Sequence, residues 1–223
     1  MSKHYLNERD RTLRKMNYRL LYGLDFTEGG NPIIHRDTNI PEFDRMIGFN
    51  EVLTDKRPHR TAVHFFIDDY QFERIWEHPE KYAEKLLAYT LVIEPDFSLY
   101  VEYPEPIQRW NHYRNQFIGA YLQRYGCRVI PSASWNDEKS FEWCYDGVEK
   151  GSIVAISSVG TARYPQAQRG FQAGIEELVK QKSPEGLIFY GKIRPETKDL
   201  LKHLKIPYTA YASGMTVRTG KCQ

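Results

Sequence analysis

The chain has little cysteine: Cys127, Cys144 and Cys222 are the three in 223 residues, and none stands at a CxxC or Cys/His metal-ligand spacing. A sparse, odd set with no apolar leader at the N-terminus fits a reducing compartment, where thiols stay free. The seven histidines contain no i,i+2 or i,i+4 pair, which disfavours a zinc centre or a nickase-type histidine pair. Long apolar runs are missing too, so no segment reaches the ~18 residues of a membrane-spanning helix. An excess of one charge is also lacking. The 31 Lys+Arg against 29 Asp+Glu leave +2, which excludes coating nucleic acid by bulk electrostatics. GxxxxGK[ST], GxGxxG and GxSxG are all absent, leaving a nucleoside-triphosphatase, a dinucleotide fold or an α/β-hydrolase without its motif.

What is present is a globular composition. Hydrophobic residues make up 41% and aromatics 14%, which excludes disorder along the whole length. A chain of this size buries about 70% of its unfolded surface, enough for one large domain or a core with an appendage. Residues 1–60 carry many punctuators, such as Gly29-Gly30-Asn31-Pro32 and Lys56-Arg57-Pro58, and read as an irregular arm packed on the core. The six aromatics from Tyr5 to Phe49 need burial somewhere, and packing on the chain's own sheet makes a monomer favoured over a homodimer.

Residues 61–223 read as an α/β core. Apolar runs of strand length at 61–67, 90–93, 127–131, 152–158, 186–191 and 206–212 alternate with helical patterns at 79–89, 107–125, 168–181 and 195–204. Such alternation predicts βα units with a mainly parallel sheet. Polar residues follow most strands, which favours a distorted or incomplete (β/α) barrel with one shared mouth over an open doubly wound sheet.

Ligands in such folds meet the carboxyl ends of the strands. Asp68 and Asp69, Asp96 and Ser98, Trp135-Asn136-Asp137, and Ser157, Ser158 and Thr161 stand there. Asp96, stiffened by Pro95, is the candidate base or Mg²⁺ ligand, with Asn136 and Asp137 as catalytic partners. Asn111 and Arg114 share a helical face, and Arg114 has the fork geometry of an anion clamp. Ser157, Ser158 and Thr161 around Gly160 have the composition of an anion nest. Each has a plainer reading: Asp96 closes an Asx turn, Asp137 caps the following helix, and Arg114 pairs with the Asp96 carboxylate. Arg9, Arg11, Arg14 and Lys15 are cations that can meet phosphates, diluted by Glu8 and Asp10.

The runs Glu94-Pro95-Asp96-Phe97-Ser98-Leu99-Tyr100, Asn111-His112-Tyr113-Arg114, Val129-Ile130-Pro131 with Trp135-Asn136-Asp137, and Val154 to Gly160 resemble one family over residues 90–191. It is an uncharacterised family of domain-of-unknown-function proteins from phages, prophages and other bacterial mobile elements. The resemblance implies a bacterial host cell as the setting and supplies no mechanism. Two functions compete. The first is a cytoplasmic protein whose polar cleft binds, and processes, a phosphate-bearing ligand, nucleotide or nucleic acid, with Mg²⁺. The second is a non-catalytic protein that sequesters a ligand or blocks a host defence protein.

Overall fold

A computed structural model describes residues 8–159 and 165–212. Among them, seven strands are all parallel, in two sheets of order β1-β2-β3-β4 and β5-β6-β7. The strands are β1 (Arg45–Gly48), β2 (Thr61–His64), β3 (Leu91–Ile93), β4 (Val129–Ile130), β5 (Ile153–Ser157), β6 (Gly186–Tyr190) and β7 (Tyr208–Tyr211). A parallel bridge from Ser132 to Ala155 joins the sheets, with Ala155 N–H donating to Pro131 at 2.8 Å and Ala133 N–H to Ala155 at 2.9 Å.

Strand order therefore follows chain order, without the reversal that a doubly wound sheet requires. The parallel α/β class read from the alternation is what forms. A closed barrel is not shown: among the described residues no ladder joins β7 to β1, although Phe43 stacks on Tyr211 with centroids 5.1 Å apart.

The short strands are apolar on both faces, which is why they read as unbroken hydrophobic runs. Ala62, Leu91, Ile93, Ile130, Ala155 and Ile188 point to one shared interior, together with Tyr190 and Tyr211. Val63, Val92 and Val129 point the other way, under α2 (Arg74–Glu77), α3 (Pro79–Leu86) and α4 (Glu105–Tyr125). Val154, Ile156, Leu187 and Phe189 do the same under α5 (Pro165–Lys182) and α6 (Pro195–Leu204). Gly126 ends α4 at φ 110°, a left-handed cap that L-residues adopt at a cost.

Residues 8–60 contain the first strand of the sheet and a short helix. The four-residue β1 pairs with β2 in register Arg45↔Thr61, and a short helix α1 (Glu8–Lys15) precedes it. A boundary at residue 60 thus falls between two paired strands. The arm's punctuators hid β1 because only Met46-Ile47 is apolar there, too short for a periodic signal. The helix expected to follow Asp137 is a 3₁₀ turn, Glu138–Glu142. No described helix is long and apolar enough to cross a membrane.

Candidate functional site

A cavity of about 730 Å³ opens at the carboxyl ends of β2 to β5. Ile67 and Asp68 beyond β2, Asp96 and Ser98 beyond β3, Trp135 and Asn136 beyond β4, and Ser157 of β5 line it, with the start of α5 opposite. The expected convergence at strand ends is therefore present for Asp96, Ser98, Asn136 and Ser157.

Asp96 is the most perturbed group in the wall. Burial raises its carboxyl to about 7; the Ser134 hydroxyl pulls it back, and the Asp69 charge adds to the rise. Its Oδ1 is buried without a hydrogen-bond partner. The segment around it is held from several sides. Pro95 limits the backbone before it. After it, Asn115 of α4 accepts from Phe97 N–H at 2.7 Å and donates to Phe97 C=O at 3.2 Å. Asn111 Nδ2 donates to Ser98 C=O at 2.8 Å, while Asp69 accepts from the Ser98 hydroxyl at 2.8 Å and its N–H at 3.1 Å. Every backbone polar group of Phe97 and Ser98 is thus bound by a side chain, and Asp96 sits on a stiff support.

Arg114 belongs to that support and does not line the cavity. Its guanidinium carbon lies 3.7 Å from the Phe97 ring centroid, Nη1 donates to Glu73 at 2.6 Å and Nη2 to Asn111 Oδ1 at 2.8 Å. Burial lowers its pKa and Glu73 offsets part of that. The plainer sequence reading, a cation paired with a carboxylate, describes this arrangement, except that the partner is Glu73 and not Asp96.

Asp137 likewise stands off the cavity. Its carboxylate accepts from Lys139 N–H at 3.0 Å and Ser140 N–H at 3.2 Å, capping the 3₁₀ turn. Asn136 borders the cavity, with Nδ2 donating to Gln108 of α4 at 3.1 Å. Ser157 Oγ accepts from Val159 N–H at 3.2 Å. Ser158 is turned inward, its hydroxyl donating to Lys192 C=O at 3.0 Å, so it is not a donor for an anion nest. Thr161 and Gly160 lie outside the described residues.

The cavity wall is aromatic on one side. Trp135 stacks on Phe171 at 5.6 Å and donates Nε1–H to Gly170 C=O at 3.1 Å. Gly174 makes this possible, because a Cβ there would collide with the indole. Among the described residues, no three of His, Cys, Asp and Glu converge as a ready metal site.

Three participants escaped the sequence reading. Glu94 is fully buried, and burial drives its carboxyl well above the usual range; Oε2 accepts from Ser132 N–H at 2.7 Å and Oε1 has no partner. Asn115 and Glu73 gave no signal, since a lone polar residue in a helix reads as solvated. Glu94 had one: an acid directly after an apolar strand and before Pro95-Asp96.

Comparison with known proteins adds the following. The chain is 40% identical over 145 residues to the "Gene 1 protein" of Mycobacterium phage D29, covering 62% of this chain and 54% of that one. It is 41% identical over 133 residues to the "Gene 1 protein" of Mycobacterium phage L5, covering 60% and 58%. The chain spans less than two thirds of the length of these relatives. No solved structure matches it. Residues 29–207, which include strands β1 to β6 and end just before β7, match a domain of unknown function, DUF4417, and the chain belongs to that family.

Proposed function

We propose that the strand-end cavity binds a nucleotide, free or as the end of a nucleic acid, with Asp96 as its proton-exchanging group. The observation that carries this is the Asp96 carboxyl, raised to about 7 and held rigidly in the wall of a 730 Å³ cavity. A carboxyl near neutrality can both take and return a proton at working pH. The surroundings suit the ligand class. Trp135, Phe171 and Phe66 offer faces for a base, and Ser98, Asn136 and Ser157 offer polar contacts. Gln166 and Ala167, in the first turn of α5, line the same space, and a helix start is a favourable neighbour for phosphate. Asp68 and Glu102 make the wall acidic, so a phosphate enters with a divalent cation such as Mg²⁺, shared between these carboxylates and phosphate oxygens, which leaves Asp96 free to exchange a proton.

The relatives in mycobacteriophages support a mobile-element protein working in the cytoplasm of a bacterial host, and we place it there as a monomer. One observation favours the non-catalytic reading, in which the protein sequesters its ligand or blocks a host defence protein. Of Asp96, Asp137 and Arg114, only Asp96 borders the cavity.

Thermal shift with nucleoside mono-, di- and triphosphates, with and without Mg²⁺, tests the proposal. A ligand at 100 times its Kd raises stability by about 2.7 kcal/mol. Stabilisation that Asp96→Asn abolishes supports the site. Turnover of that ligand assigns an enzyme, and tight binding without turnover assigns a sequestering protein. No shift with any nucleotide contradicts the proposal.

A further inference from the structure

A second surface, sharing no lining residue with the strand-end cavity, has a ligand class written into it. It is a groove of about 1060 Å³ between α1 and the start of α3, lined by the cations Arg11, Arg14, Lys15 and Lys81 and by Trp76; of its three glutamates, Glu80 is paired with Arg19, Glu73 with Arg114, and Glu77 remains. Its helix, α1, buries no residue at all. An isolated helix of eight residues is marginal in water, and one whose apolar residue, Leu13, is only partly covered gains little from tertiary packing. What α1 does instead is present cations. Arg11, Arg14 and Lys15 are exposed along it, and among the described residues none of them, nor Lys81, forms an ion pair. Arg19, in contrast, is held by Glu80 at the groove's side. Immediately beyond, the 3₁₀ turn Tyr18–Leu21 and the residue after it display Tyr18 and Tyr22, 58% and 87% exposed.

We propose that this groove binds the backbone of single-stranded nucleic acid, with Arg11, Arg14, Lys15 and Lys81 on phosphates and Tyr18 and Tyr22 as stacking platforms for the bases that follow. Unpaired cations supply the sequence-independent attraction, and every base has a face on which tyrosine can stack. Phosphates would also neutralise the crowding of Arg11, Arg14 and Lys15 on one short helix. The site is independent of Asp96. It also lies in part outside residues 29–207 that define the family match, since α1 precedes them.

Fluorescence anisotropy of the full chain with a labelled oligothymidylate, over a salt series, tests this. Four neutralised phosphates give a slope of log K against log[salt] of about −3. Arg11→Ala/Arg14→Ala/Lys15→Ala removes three exposed side chains with no buried contacts, so circular dichroism should match the wild type. That variant is expected to weaken binding by at least about tenfold and flatten the slope by about 2. Tyr18→Ser/Tyr22→Ser is expected to weaken binding with the slope unchanged. Absence of binding at low salt overturns the proposal, as does unchanged affinity in the triple variant. Displacement of the oligonucleotide by poly-glutamate, with the tyrosine variant binding normally, also overturns it and assigns the groove to an acidic protein.

Discussion

Asn115 of α4 reaches both backbone polar groups of Phe97, accepting at 2.7 Å and donating at 3.2 Å, and so treats the residue after Asp96 as a neighbouring strand would. Replacing it with Leu leaves a buried N–H and C=O unpaired. Each such group costs about 1–3 kcal/mol, so Asn115→Leu should lower unfolding free energy by about 2–5 kcal/mol in urea titration. A loss below about 0.5 kcal/mol would mean the loop does not depend on this clamp.

The Asp96 carboxyl carries a pH signature. Its folded pKa, about 7, lies above the ordinary value of 3.8, so the folded state binds the proton more readily than the unfolded state does. Stability from this group is full at low pH and is lost as pH rises from about 4 to 7. Glu94, also raised by burial, acts with the same sign. Asp96→Asn should therefore flatten the decline in unfolding free energy between pH 4 and 7 without abolishing it, and should be more stable than wild type at pH 8. A variant less stable than wild type at pH 8 would show the carboxylate to be a structural turn-former.

Arg114 should behave as packing and support. Arg114→Lys keeps the charge but loses the flat stack on Phe97 and the fork to Glu73 and Asn111, at an expected cost of about 1–3 kcal/mol. Glu73→Gln, at the half-exposed end of the pair, should cost under about 1 kcal/mol. Equal costs for Glu73→Gln and Arg114→Lys in the same denaturation assay would mean the ion pair, and not the stack, holds the segment.

Gly174→Ala tests the aromatic wall. A methyl there meets the Trp135 indole, so the ring must leave Phe171 and Gly170. Overpacking of this kind costs about 1–3 kcal/mol. Tryptophan emission should shift to longer wavelength as the indole moves toward solvent. Unchanged emission and stability would mean Trp135 has another place to sit.

Much of the fold could be read because buried parallel strands are apolar on both faces, and runs such as Ile153-Val154-Ala155-Ile156 announce themselves. Arg45–Gly48 could not be read that way, as its partner strand supplies most of its definition. At the site, Asp96, Ser98, Asn136 and Ser157 were legible because topology alone brings strand ends together. Arg114 and Asp137 have residue types that serve ligands or neighbours equally well, and only the proximity of Glu73 and of the Lys139 and Ser140 amides decides between the two. Glu94 shows the opposite failure. Its place directly after an apolar strand is visible in the sequence, but its burial depends on what covers it, here α4 at Gly119, which no local pattern specifies.

The central claim is a carboxyl that titrates near neutrality inside a ligand cavity, and carbon-13 NMR of the Asp96 carboxyl, identified by its loss in Asp96→Asn, tests it most directly. The account predicts a midpoint near 7 in the free protein, displaced on addition of the nucleotide that stabilises it. A midpoint near the ordinary 3.8, unmoved by every nucleotide, would contradict it.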